Sequence, residues 1–239
     1  MPKSNYQNDF NGILLINKPQ AWTSHDVVAK IRNHFKLKKV GHGGTLDPMA
    51  TGLLILLIGR STKLSTKITE SDKVYDGTIL LGQTTNTQDT MGKIIDSNKI
   101  DNISLSKINS VITNNFIGEI KQVPPMVSAI KKNGVPLYKL ARKGINIKRE
   151  PRTIHIHDFS VISFKAPYIN FYIKCSKGTY VRTIANDLGK KLETGGCLSS
   201  LRRTNSGLFK LDNAYELDDI LDKDPELLEN LLIDFESKK

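Results

Sequence analysis

Residues Gly41–Gly52 read GHGGTLDPMATG, and the apolar run GLLILLIG continues from Gly52 to Gly59. Four glycines in the first stretch let backbone come close to a ligand or to another strand. Pro48 disfavours the helical region at Asp47 and pushes that residue towards an extended conformation. A carboxylate held in this way, among small residues and ahead of a buried strand, suits a nucleophile or a general base. The same residues also suit a tight turn in which Asp47 makes turn hydrogen bonds. The run Leu53–Ile58 is far shorter than the roughly 20 residues a spanning helix needs, so it reads as a strand buried on both faces.

Working outward, Gly12–Asn17 (GILLIN) reads as a second buried strand. Thr23-Ser24-His25-Asp26 resembles a capping box, opening a helix with Val27, Val28, Ile31 and Phe35 on one face. Lys73–Gly82 (KVYDGTILLG) reads as a strand, and Gly82–Gly92 (GQTTNTQDTMG) as a polar loop. Leu105, Ile108, Val111 and Ile112 have helical spacing. Gln122–Arg152 reads as a surface excursion with a short helix at Leu137–Ala141. Strands are expected at Thr153–Phe164 and Ile169–Cys175. Ser176-Lys177-Gly178 then turns into a helix bearing Val181, Ile184, Ala185, Leu188 and Leu192. The tail is expected to be helical around Pro225–Phe235. Strands and helices mix without regular βαβ alternation, which predicts an α+β fold.

The chain has 239 residues, 38% hydrophobic and 25% charged. That composition describes a globular protein with room for one large domain or two small ones. Lys plus Arg number 35 against 24 Asp plus Glu, for a net charge of +11. From Leu211 onward there are 10 acidic and 3 basic residues, so the residues before it hold 32 basic and 14 acidic ones. A body this basic suits a polyanion, nucleic acid first; a lysine-rich proteome gives the same count. The N-terminus has no signal-peptide pattern. Two cysteines, Cys175 and Cys197, build neither a disulfide framework nor a four-cysteine zinc site. The expectation is a reduced, cytoplasmic protein with no membrane partner.

Familiar catalytic motifs are absent. There is no G-x-G-x-x-G and no P-loop. His42-Gly43-Gly44 has the look of an oxyanion loop, but no G-x-S-x-G elbow follows. His155 and His157 share a strand face without a third ligand at recognisable spacing, so no metal is expected. Cys175 reads as core and Cys197 as a packed turn residue. Arg182, in the first turn of the helix after Gly178, can hold a carboxylate bidentately or serve as a solvated or phosphate-binding Arg. Trp22, Tyr75 and Tyr180 can stack on a base or belong to the core. Lys131, Lys132, Lys139, Arg142, Lys143, Lys148, Arg149 and Arg152 crowd one segment against a single acid, Glu150. Such a patch attracts phosphates with little specificity.

In these motifs the sequence resembles the bacterial tRNA pseudouridine-55 synthases, the TruB branch of the pseudouridine synthases. The resemblance runs from about Gly12 to Leu211. It is carried by GILLINKP, VGHGGTLDPMATGLL, KVYDGTILLG, the spaced G-x-x-T-x-T-x-D-x-x-G of Gly82–Gly92, QVPPMVSAIK, KGTYVRTIANDLG and LRRTNSGLF. It implies a pseudouridine synthase fold: a mixed, mostly antiparallel sheet flanked by helices, with a thumb-loop insertion at about 123–152. Residues 1–211 would form the catalytic domain. Residues 212–239 would be an acidic helical tail, too short for the PUA domain of longer family members.

The resemblance further implies that Asp47 is the catalytic aspartate, that Tyr75 stacks on the target base, and that Arg182 pairs with Asp47. Leu201 would pack on the other side of the ring and Tyr180 would line the pocket. His42 would stack in the tRNA loop where the flipped base has left, with Lys18 and Pro19 supporting the pocket. Lys131, Lys132, Arg142 and Lys143 would grip the RNA backbone. The implied reaction converts uridine-55 in the T loop of tRNA to pseudouridine, with no cofactor and no metal. The implied partner is the tRNA T arm, met by a monomer. A non-catalytic RNA-binding module or tRNA-folding chaperone would use the charge and the loop equally well. The coexistence of Asp47, Tyr75 and Arg182 in their motifs speaks against it.

Overall fold

The computed structural model describes residues 10–234. The elements run β1 (Gly12–Lys18), α1 (Ser24–His34), β2 (Val40–His42), β3 (Thr51–Ile58), α2 (Ser65–Thr69), β4 (Lys73–Leu81), β5 (Gln83–Thr85), β6 (Ile94–Ser97), α3 (Leu105–Asn115) and β7 (Gly118–Gln122). They continue β8 (Lys131–Lys132), β9 (Val135–Pro136), α4 (Leu137–Arg142), β10 (Arg152–Lys165), β11 (Tyr168–Cys175), α5 (Val181–Lys191), β12 (Gly196–Ser206), β13 (Phe209–Lys210), β14 (Tyr215–Glu216) and α6 (Leu217–Leu221). The fold is α+β. Its pairings are mostly antiparallel, with parallel ones at β1–β14 and β3–β12. Two compact units divide the chain, residues 1–74 with 202–239 and residues 75–201.

In the first unit the strand order is β14-β1-β3-β12, with β2 on β3 and β13 on β12. β1 and β3 pair in unbroken antiparallel register from Gly12↔Ile58 to Lys18↔Gly52. Ile13, Leu15, Leu53, Ile55 and Leu57 pack with Ile68 and Leu211. The alternate residues Leu14, Ile16, Leu54 and Leu56 are equally buried. Burial on both faces is why these strands read as continuous apolar runs. The capping box forms: Thr23 Oγ1 accepts from Asp26 N at 3.0 Å, and Asp26 Oδ2 accepts from Thr23 N at 2.9 Å. Val27, Val28, Ile31 and Phe35 are all buried, as the spacing predicts.

In the second unit β4, β11, β10 and β7 lie side by side. β11 buries Ile169, Phe171, Ile173 and Cys175 and exposes or half-exposes the residues between. β10 carries bulges between Ile156 and Asp158 and between Val161 and Ser163. The first bulge moves the next inward side chain to Phe159, which meets Phe116 and Phe171 edge-on. The thumb excursion holds the β8–β9 hairpin, whose turn residues Asn133 and Gly134 have φ of 51° and 79°. Asn-Gly is the pair that this left-handed two-residue turn selects.

Three expectations change. Cys197 lies in strand β12, fully buried, rather than in a turn. The loop expected at Gly82–Gly92 begins as strand β5, paired with β6. The tail forms α6 and a 3-10 turn at Pro225–Leu231; Phe235, the end of the expected helix, lies outside the described residues. The tail stops turning because Ile233 bonds Ile13 in both directions, at 3.0 and 2.9 Å. Helical backbone there would lose both bonds.

Candidate active site

The first unit holds the Asp47 loop at several points. Ser24, inside the first turn of α1, accepts from Leu46 N at 2.8 Å and donates to Leu46 O at 3.2 Å. Ala21 N donates to Pro48 O, and Gly43 N to Ile55 O, both at 2.9 Å. Ala50 N donates to Asp47 O at 3.0 Å, closing a turn over Asp47-Pro48-Met49-Ala50. Arg203, on β12, donates from Nε to Leu53 O at 2.8 Å and from Nη2 to Gly44 O at 3.1 Å. Gly43 must be glycine: a Cβ there would stand 2.4 Å from Ile68 Cγ2. Gly52 has φ +97°, and a Cβ would stand 2.4 Å from Arg203 O. The half-exposed Asp47 thus stands on a loop whose backbone is tied on both sides.

The charges beneath this loop are buried. Lys18 is fully buried, and its Nζ donates to Pro19 O at 2.8 Å and Trp22 O at 2.7 Å. Burial lowers its pKa to about 8; Asp47 and Asp26 pull it up, and Arg203 pushes it down. His42 is half-buried at the end of β2, and its Nδ1 accepts from Gly44 N at 3.3 Å. Burial, then Arg203, then His25 lower the His42 pKa. Lys18 thus feels both Asp47 and Arg203, and His42 feels Arg203, while Pro19 contributes its carbonyl.

In the second unit Tyr180 caps α5. Gln122, buried at the end of β7, accepts from Tyr180 N at 2.8 Å and donates to Tyr180 O at 3.1 Å. This amide clasp aims the first turn of α5, where Arg182 is only 3% exposed. Arg182 Nη1 donates to Thr87 O and Nη2 to Val127 O, each at 2.8 Å. Its Nε lies 3.7 Å from Asp89 Oδ2. Asp89 Oδ1 accepts in turn from Thr87 Oγ1 at 2.6 Å and Met91 N at 3.1 Å. Tyr75 on β4 and Leu201 on β12 are the first and last residues of this unit, both about nine-tenths buried. Lys131, Lys132, Arg142 and Lys143 are exposed on the thumb, with Arg142 over the Tyr138 ring at 5.5 Å.

Two family models match the chain. Residues 32–181 match the TruB family pseudouridylate synthase N-terminal domain, and residues 182–238 match the tRNA pseudouridylate synthase B C-terminal domain. The chain belongs to the TruB family. As a member it is a pseudouridine synthase, an isomerase. It is 49% identical over 214 residues to the tRNA pseudouridine synthase B of Opitutus terrae, covering 90% of this chain and 88% of that one. It is 45% identical over 223 residues to the tRNA pseudouridine synthase B of Syntrophotalea carbinolica, covering 93% and 72%. A solved Cbf5-Nop10-Gar1 complex contains a chain with a TM-score of 0.71 and 29% identity, covering 93% of this chain and 57% of that one. Among the described residues no helix is long and apolar enough to cross a membrane, and no cluster of three or more His, Cys, Asp or Glu residues could hold a metal ion.

Three residues of this TruB chain escaped the sequence reading. Asp89 stands in the T-x-T-x-D spacing, Gln122 opens QVPPM and Arg203 lies in LRRTNSGLF. Each motif was visible, but the partners are distant in sequence and no local pattern names them.

Proposed function

We propose that the chain isomerises uridine-55 in the T loop of tRNA to pseudouridine, with Asp47 as the catalytic aspartate. The observation that carries this is the Asp47 turn, tied by Ser24, Ala21 and Arg203 above buried Lys18. A carboxylate on so constrained a loop is placed for one reacting atom, and positioning is worth several kcal/mol of barrier. The tRNA names of the relatives and the +11 charge support the substrate.

The N-glycosidic bond breaks, the uracil turns, and a C5–C1′ bond forms. The base must first leave its stack, at a cost of a few kcal/mol. Tyr75, Leu201 and Tyr180 take up the extruded base in this reading. His42 fills the space it leaves, Arg182 pairs with Asp47, and Lys18 and Pro19 support the pocket. Lys131, Lys132, Arg142 and Lys143 bind the RNA backbone, and the protein acts as a monomer. The test is to map pseudouridine in a T-arm transcript after incubation with wild-type and Asp47→Asn protein. Loss of turnover with RNA affinity within a few fold is expected. Appreciable turnover in the Asn variant, with deamidation excluded, refutes the role of Asp47.

A further inference from the structure

The first unit contains another buried cation besides Lys18. Arg203 is 1% exposed, among the largest fully buried side chains in the protein. No carboxylate ion-pairs with it among the described residues. Burying an unpaired guanidinium is expensive.

Its contacts are specific. The Arg203 backbone pairs in parallel register with Gly52, where the Asp47 loop ends. A Cβ on Gly52 would meet Arg203 O at 2.4 Å and Arg203 N at 2.8 Å, so the two backbones touch with no room between them. The side chain crosses to the other end of the loop, donating to Gly44 O at 3.1 Å, and also to Leu53 O at 2.8 Å. One residue therefore fixes both ends of the segment that carries Asp47. Its charge is also felt by its neighbours: it pushes the pKa of both His42 and Lys18 down, and Lys18 feels Asp47 as well.

We infer that Arg203 is a positioning residue for the isomerisation, clamping the two ends of the 44–52 loop so that the Asp47 carboxylate is held in its reacting place. The inference rests on the reading of Asp47 as the catalytic aspartate. Arg203 acts through that loop, and its planar fork is the feature that reaches two carbonyls at once. A Lys ammonium in the same space carries the charge but cannot span both acceptors.

The experiment compares wild type, Arg203→Lys, Arg203→Met and Asp47→Asn in single-turnover pseudouridine formation, with enzyme in saturating excess over a T-arm transcript. At saturation a partial loss of folded protein leaves the rate constant alone. Misplacement of Asp47 lowers the rate constant itself. The expected result is a rate constant reduced 10- to 100-fold in both Arg203 variants, with RNA affinity within threefold of wild type. The His42 Cε1–H resonance should also titrate at higher pH in Arg203→Met than in wild type. Wild-type rate constants in the Arg203 variants, with Asp47→Asn inactive, overturn the inference and leave the aspartate assignment standing. An active Asp47→Asn variant removes the premise instead. If neither Arg203 variant folds, the wild-type protein decides: slowly exchanging Arg203 Nη2–H protons support the clamp on Gly44 O, and exchange at the rate of a free guanidinium overturns it.

Discussion

The Arg182 guanidinium sits 3.7 Å from the Asp89 carboxylate, with both side chains no more than 8% exposed. Neither is left with a single contact. Thr87 and Val127 carbonyls accept from Arg182, and Thr87 Oγ1 and Met91 N donate to Asp89. The polar Gly82–Gly92 segment is therefore a cradle for one arginine, and the root of the thumb supplies another of its acceptors.

Asp89→Ala removes one carboxylate from beside that buried guanidinium. Breaking a buried pair from one side costs about 3 kcal/mol. Urea denaturation should show a loss of that order, and a smaller one in Asp89→Asn, which keeps an acceptor for Thr87 and Met91. A loss below about 1 kcal/mol in the Ala variant means that the pair contributes little in solution.

The buried Lys18 makes stability depend on pH. Its folded pKa is about 8 against an ordinary 10.5. Between these values the unfolded chain binds more protons, so stability rises as pH climbs from about 8 to about 10.5. The cost of burying the ammonium is fully present below about 8. Relative to Lys18→Met, wild type should gain on the order of 3 kcal/mol across that window. Parallel stability curves for the two proteins would contradict the shift.

Charge reversal at Lys131, Lys132, Arg142 and Lys143 should weaken tRNA binding and flatten its salt dependence. Each lost phosphate contact removes roughly 0.9 from the log-log slope on duplex and about 0.7 on single strands. A titration from low to moderate salt with an unchanged slope places these residues away from the RNA.

Gly52 and Gly178 both have positive φ, +97° and +78°, but only Gly52 has atoms within 4 Å of a would-be Cβ. Gly178→Ala should cost the roughly 1–2 kcal/mol of left-handed backbone alone. Gly52→Ala adds the collision with Arg203 and should cost more, with loss of activity. Equal melting temperatures for the two variants would show that the backbone relaxes freely around Gly52.

The sequence by itself determined the local structure. Periodicity placed β1, β3, α1 and α5, because strands buried on both faces and amphipathic helices leave their pattern in neighbouring residues. The capping box at Thr23 depends on four consecutive residues and was equally legible. The motifs also carried the family and the residues Asp47, Tyr75 and Arg182. Only the tertiary structure decided what holds those residues. Arg203 reaches Gly44 and Leu53, Gln122 grips Tyr180, and Asp89 meets Arg182, in each case across a long stretch of chain. Tail geometry was decided in the same way, since Ile233 trades helical bonds for those to Ile13. Hydrogen bonds between distant segments leave no period in either segment, so three-dimensional packing alone reveals them.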